Sequence, residues 1–173
     1  MNNKGLALGP LKLDTTIIQS PMAACTDLPF RLIAREKGLK FSFLEMISAQ
    51  ALVRANDKTL RLMQSLPVDK PLGAQLLGCD PQNMADAAKI IEGMGFDSLD
   101  LNLGCPVKKV TSNGEGSALL KNPEKAGQIF AAVKNAVKNI RAFASAGKLD
   151  EANALVPTLY KALDKAAKTN VIK

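Results

Sequence analysis

Histidine is absent from all 173 residues. That absence excludes His-based nucleophile triads and His-ligated metal centres. Tryptophan is also missing, tyrosine occurs once, and aromatic residues make up only 4% of the chain, so any core must be built from aliphatic side chains. The three cysteines, Cys25, Cys79 and Cys105, show no CxxC spacing. They suggest neither a zinc site nor a disulfide framework, and the expectation is a reduced, cytoplasmic protein with no metal. No apolar run reaches the length of a membrane-spanning helix, and "MNNKGLALGPLKLDTT" lacks the long apolar segment of a signal peptide.

What is present suits a globular domain. The chain is 47% hydrophobic, enough for a substantial core. Its net charge of +7 is unevenly spread. Residues 1–132 hold 15 Lys and Arg against 13 Asp and Glu, whereas residues 133–173 hold 8 against 3. A solvated helical surface accounts for such a basic tail, and so does contact with nucleic acid.

Four strand-then-helix units can be traced in the first part. "TTIIQSPM", "FSFLEMI", "PLGAQLLG" and "SLDLNLG" are the strand candidates. Between them lie the helical stretches "DLPFRLIAREKG", closed by Gly38, and "SAQALVRANDKTLRLMQS". Asp80 is placed to cap a third helix, with Pro81 at its first position and Gly95 past its end. Asn122 and Pro123 open a fourth. The alternation predicts parallel βα units, and the nearly continuous apolar character of the strands suits a sheet buried on both faces. Beyond residue 132 the composition turns to Ala and Lys. Val133, Val137, Ile140 and Ala144 recur at helical spacing, Gly147 suits a C-cap, and Leu155, Leu159 and Leu163 form a second stripe. The expected organisation is a unit over residues 1–132 followed by a basic helical hairpin over residues 133–173.

Polar and reactive residues gather where the strands end. Ser20 to Thr26 follow the first, Glu45 closes the second, Gln75 the third, and Asn102 and Cys105 the fourth. In parallel α/β sheets ligands bind at that rim. Taken singly, each residue has a plain structural explanation: Glu45 can cap or pair, and Gln75 can satisfy backbone groups. Together they point to one pocket. A buried cysteine is most often a small hydrophobe, which suffices for Cys25 and Cys79. Cys105 differs, because it sits in a turn between Gly104 and Pro106 with Lys108 and Lys109 just beyond.

"PMAACTDLPFR", "LEMISAQAL", "QLLG" and "DLNLGCPVKKVTSNGEGSALL", in that order over about residues 15–132, resemble the dihydrouridine synthases, flavoenzymes that reduce uridines in transfer RNA. The resemblance implies an FMN-binding (β/α)8 barrel, here represented by half a TIM-type barrel of about four parallel strands, and NADPH as reductant. It implies hydride transfer to carbon six of uracil and protonation of carbon five by a cysteine. Cys105 matches that proton donor. Pro21, Met22 and Ala23 match the first-strand segment against the flavin, Gln75 a residue on the isoalloxazine, and Asn102 a polar residue at the flavin–uridine junction. Lys108 and Lys109 would meet tRNA phosphates. Ala24 stands where the family commonly has glycine. The family's lysine and arginine on the following strand, and a later histidine, have no counterpart. The loops after the seventh and eighth strands, which hold the FMN phosphate, are not found either. A complete barrel takes about 250 residues, and a half-barrel leaves open sheet edges that favour self-association.

The tail has its own resemblance. "AVKNAVKN", "AGKLDEA" and "LDKAAKTNVIK" resemble bacterial small-subunit ribosomal protein number twenty, which binds ribosomal RNA. This implies a chimera joined near residue 132, marked by one helix running through about residues 123–146, and two alternative functions: a non-catalytic RNA-binding role, or a chimeric chain without independent function.

Overall fold

The structure is a computed structural model that describes residues 5–8 and 10–145, with side chains described as far as residue 137. It opens with an antiparallel pair, β1 (Leu6–Leu8) and β2 (Leu11–Leu13), which the sequence pattern does not announce. Helix α1 (Leu28–Glu36) follows, then β3 (Ser42–Ser48), α2 (Ala49–Val53), α3 (Asp57–Leu62), β4 (Leu72–Leu77), α4 (Pro81–Gly93) and β5 (Ser98–Leu101). A short α5 (Lys108–Thr111), a 3-10 segment (Gly116–Lys121) and the long α6 (Pro123–Ser145) complete the described chain.

Strands β3, β4 and β5 form one parallel sheet in that order. The expected α/β class and three of the four parallel strands are therefore present, without a closed barrel. The first expected strand is reduced to one bridge. Gln19 pairs with Ser42 in parallel, and its amide donates to the Phe41 carbonyl at 3.2 Å. The run is cut at both ends for local reasons. Thr15 Oγ1 accepts from the Ile17 amide at 3.0 Å, turning the chain, and Pro21 has no amide to extend a ladder.

The helices obey their caps. Asp27, Asp80 and Asn122 each accept an amide three residues on, from Phe30, Asn83 and Lys125. The expected single helix over residues 48–65 is two. Ala55 adopts a positive φ of 51°, and Asn56 Oδ1 accepts the amides of Lys58 and Thr59, starting a fresh helix.

The core lies between the sheet and the helices. Leu44 and Ile47 of β3 and Leu72, Ala74 and Leu76 of β4 meet Leu52, Leu60, Met84, Ala87, Ala88 and Ile91. These β4 residues alternate with Gly73 and Gln75, so one sheet face packs on helices and the other carries the polar row described below. Helix α6 lies on α4 and buries Ala126, Ile129, Val133 and Ala136. One helix thus runs through the expected join at residue 132, as a chimera would require. An uninterrupted βα unit requires the same helix, and Val133 and Ala136 belong to the packing of the residues before them. The rest of the expected hairpin lies outside the described residues. On its other side α6 overhangs the edge of β5 that pairs with no strand among the described residues, where Leu99, Leu101, Phe130, Val133 and Val137, with Asp100 and Lys134, line an open groove of about 560 Å3.

A buried ion pair fixes α1 against the approach to β4. Arg31 is fully buried, and its Nε donates to Asp69 Oδ2 at 2.8 Å. Its remaining nitrogens donate to the carbonyls of Thr26 (2.7 Å) and Gln64 (2.8 Å). Arg35 adds bonds to the Asp69 carboxylate and to the carbonyls of Asp69, Pro71 and Lys40. Removing one partner leaves a charge without compensation in a dry site. Asp69→Ala is expected to lower unfolding free energy by about 3–5 kcal/mol, read from the midpoint of a urea titration.

Candidate functional site

The site assembles where β4 and β5 end. Register places Met46, Gln75 and Asp100 side by side across the three strands. Asn102, two residues past Asp100, continues the same face. Asp100 Oδ2 accepts from Gln75 Nε2 at 2.6 Å, and Gln75 Oε1 accepts from Asn102 Nδ2 at 2.9 Å. Asn102 Nδ2 also lies 3.3 Å from Met46 Sδ. Asn102 Oδ1 accepts the amides of Gly104 (3.2 Å) and Cys105 (3.0 Å). One side-chain amide thereby joins the β4 glutamine to the cysteine turn. The expectation that Gln75 and Cys105 share the C-terminal rim of adjacent strands holds in this geometry.

A side-chain amide offers both a donor and an acceptor on one planar group. The exposed Asp100 carboxylate orders the chain of bonds. It can only accept, so the Gln75 nitrogen turns toward it and the Gln75 oxygen toward Asn102. Asp100 was not singled out by sequence reasoning, although its spacing of two from Asn102 on a strand was the available signal.

The cysteine turn is held from its far side too. The Cys105 carbonyl accepts from the Ser117 amide at 3.0 Å. Gly116, at φ 59°, passes so close that a Cβ there would lie 2.6 Å from that carbonyl oxygen. No other residue fits without moving the turn. Cys105 itself is half-buried, whereas Cys25 is exposed and Cys79 is half-buried with its Sγ 3.2 Å from the Asn113 carbonyl.

The loop bearing Pro21, Met22 and Ala23 is fixed by two polar contacts. Thr26, fully buried, exchanges bonds with Met22: its Oγ1 accepts from the Met22 amide and donates to the Met22 carbonyl, both at 3.1 Å. Glu45 Oε2 accepts the Ala24 amide at 2.5 Å. Glu45 is buried on β3, so the loop is tethered to the strand that also carries Met46. Pro21 is half-buried, while Met22 and Ala23 are exposed. Ala24 has φ 58°, the left-handed region where a Cβ is unfavourable. This is the physical reason glycine suits that position.

Lys108 and Lys109 both project from α5 into solvent. Lys108 faces a hollow shared with Lys121, and Lys109 does not line it. Among the described residues no group of three His, Cys, Asp or Glu side chains is arranged to hold a metal. No helix of the described residues is long and apolar enough to cross a membrane. Burial pushes the Glu115 carboxyl above its usual range.

Two substitutions test this framework. Ala24→Gly is expected to stabilise the protein by about 1 kcal/mol, measured by denaturant titration, since it relieves the left-handed alanine without touching the Glu45 bond. A raised folded-state pKa means ionisation of Glu115 opposes folding, so stability falls as pH rises through the carboxylate range. Glu115→Gln is expected to raise the unfolding midpoint at about pH 7 and to leave it unchanged at about pH 3, where the native carboxyl is protonated in both folded and unfolded chains.

Comparison with known proteins identifies the family. The sequence model of the family "Dihydrouridine synthase (Dus)" matches residues 18–154. A probable tRNA-dihydrouridine synthase of Rickettsia conorii is 38% identical over 134 residues, covering 77% of this chain and 40% of that protein. The tRNA-dihydrouridine synthase B of Proteus vulgaris is 40% identical over 136 residues, covering 76% and 41%, and that of Escherichia coli 39% identical over 135 residues, covering 76% and 41%. The chain therefore spans about two-fifths of the length of these relatives. The match runs past residue 132, and the expected likeness to a ribosomal protein finds no support in it. The chain belongs to the dihydrouridine synthase family.

Proposed function

We propose that this chain supplies the uridine-facing half of an FMN-dependent tRNA-dihydrouridine synthase. The observation that carries the reading is the Asn102 amide, which ties Gln75 and Cys105 together at one rim of the sheet. The names of the relatives supply the substrate class, a uridine in tRNA.

The residues present fit the ring system of a flavin. After the bonds within the polar row, Gln75 keeps one amide N–H and one acceptor position on its oxygen to meet heteroatoms of a flat heterocycle, while the Asn102 amide is fully engaged in holding Gln75 and the cysteine turn. Pro21, Met22 and Ala23 offer an apolar seat on the neighbouring loop. When bound, reduced FMN supplies a hydride for carbon six of uracil, with NADPH the reductant that restores it. The Cys105 thiol delivers its proton from Sγ to carbon five, completing the addition of two hydrogens across the double bond. A uracil reaches this rim only when extruded from its stack. The Asn102–Cys105 bond and the close approach of Gly116 keep the thiol's backbone still while the base arrives.

The half-barrel arrangement belongs to the same reading. The described sheet has three parallel strands, and the groove between β5 and α6 is where a further strand of the barrel would lie. Association through that edge, with a second copy or with the remaining strands, completes the wall around the Gln75 row. Cytoplasmic residence accords with a tRNA substrate.

The chain alone is expected to purify with much less than one FMN per chain by absorbance. Joined by a polypeptide that supplies the remaining strands, it is expected to form dihydrouridine on an unmodified tRNA transcript. In that assembly Cys105→Ala lowers turnover by about a hundredfold or more while flavin absorbance persists. Unaltered turnover by the variant would remove the cysteine from the proton-donor role.

A further inference from the structure

Beyond the thiol, the chain turns into α5, crosses Asn113 and Gly114, and returns as the 3-10 segment Gly116–Lys121. Between these two pieces lies a hollow of about 350 Å3 lined by Lys108, Thr111, Ser112, Ser117, Ala118 and Lys121. We propose that this hollow seats a backbone phosphodiester of the RNA strand whose base is presented to Cys105. The inference rests on the reading of the chain as a tRNA-modifying enzyme and names a contact within it.

The chemistry of the lining favours a phosphate over other ligands. Two lysines bracket the hollow, and no carboxylate of a described residue lines it. The salt bridges of the described residues involve Arg31, Arg35, Lys70 and Lys89, so Lys108 and Lys121 carry charge that no described acid neutralises. Three hydroxyls stand between them. Those of Thr111 and Ser112 reach helix carbonyls only at 3.5 Å, the limit of a hydrogen bond, and can turn to a better acceptor. The Ser117 hydroxyl has no partner among the described residues. Lysine point charges with hydroxyl donors suit a phosphodiester held without regard to base.

Position gives the hollow its connection with the chemistry. Its far wall carries Ser117, whose amide donates to the Cys105 carbonyl at 3.0 Å. A strand seated there runs directly beside the turn that holds the thiol. Gly116, pressed against Cys105, keeps the wall and the turn at a fixed separation. The contact therefore sets where along the strand a base can be offered, not which base it is.

The test measures binding of an unmodified tRNA transcript to the full chain across a salt series, without turnover. Each lysine–phosphate contact contributes about one to the slope of log affinity against log salt. The double substitution Lys108→Gln, Lys121→Gln is expected to reduce that slope by about two and to weaken binding about tenfold or more at about 0.1 M salt. Lys12→Gln, on the exposed side of β2, leaves slope and affinity unchanged. Inorganic phosphate at constant ionic strength is expected not to displace the transcript saturably. An unaltered slope in the double variant overturns the proposal, as does failure of the unsubstituted chain to bind the transcript. Saturable displacement by phosphate alone also overturns it, since it would make the hollow a site for free phosphate. Loss of the flavoenzyme reading would appear in turnover and flavin content, which this measurement does not use.

Discussion

The side-chain amide of Asn102 is the contact on which the rest of the site depends. β4 and β5 would lie side by side without it, because their ladder and apolar packing suffice. The cysteine turn would then hang from the end of β5 by its own backbone. Asn102 converts strand pairing into placement of the thiol. Its nitrogen reads the position of β4 through Gln75, and its oxygen passes that position to the amides of Gly104 and Cys105. An aspartate there would lose the donor and set a second carboxylate near Asp100; a leucine would lose both functions.

A second line of support runs from the core to the loop opposite. Arg31, buried with Asp69, also donates to the Thr26 carbonyl, and Thr26 closes its own pair of bonds with Met22. A charge pair of this kind contributes little net stability, because desolvation offsets most of the attraction. Its value lies in direction. A guanidinium with several fixed donors orients three separate backbone segments at once. Glu45 does the same on a smaller scale, holding Ala24 in a conformation it would not otherwise adopt.

Much of this was legible in the sequence, and the failures have identifiable causes. Helix caps at Asp80 and Asn122, the glycine closing α1, and β3, β4 and β5 follow from local chemistry that acts within a few residues. The first strand failed because Pro21 and the Thr15 turn outweigh β propensity in "TTIIQSPM". The helix over residues 48–65 failed because Asn56 is a stronger start signal than its apolar spacing is a continuation. Gln75, Asn102 and Cys105 were found by their common place at strand ends. Asp100 and Met46 were not, because their part depends on register between strands. Lys121 escaped notice because its nearness to Lys108 depends on a return of the chain through Gly114 and Gly116. The residues matched to flavin and RNA rest on resemblance, with geometry now added for Gln75, Asn102 and Cys105.

The exposed flank of β5 bears on the polar row as well as on assembly. Asp100 stands in water, where a bond to Gln75 competes with solvent and the ordering of both amides is loose. Cover that flank, and the side chains of Asp100, Gln75 and Asn102 find themselves in a drier medium that stiffens each bond in the series. Enclosure of the sheet and sharpening of the thiol's aim are then a single event: whatever polypeptide lies along β5 tightens a cysteine it need never touch.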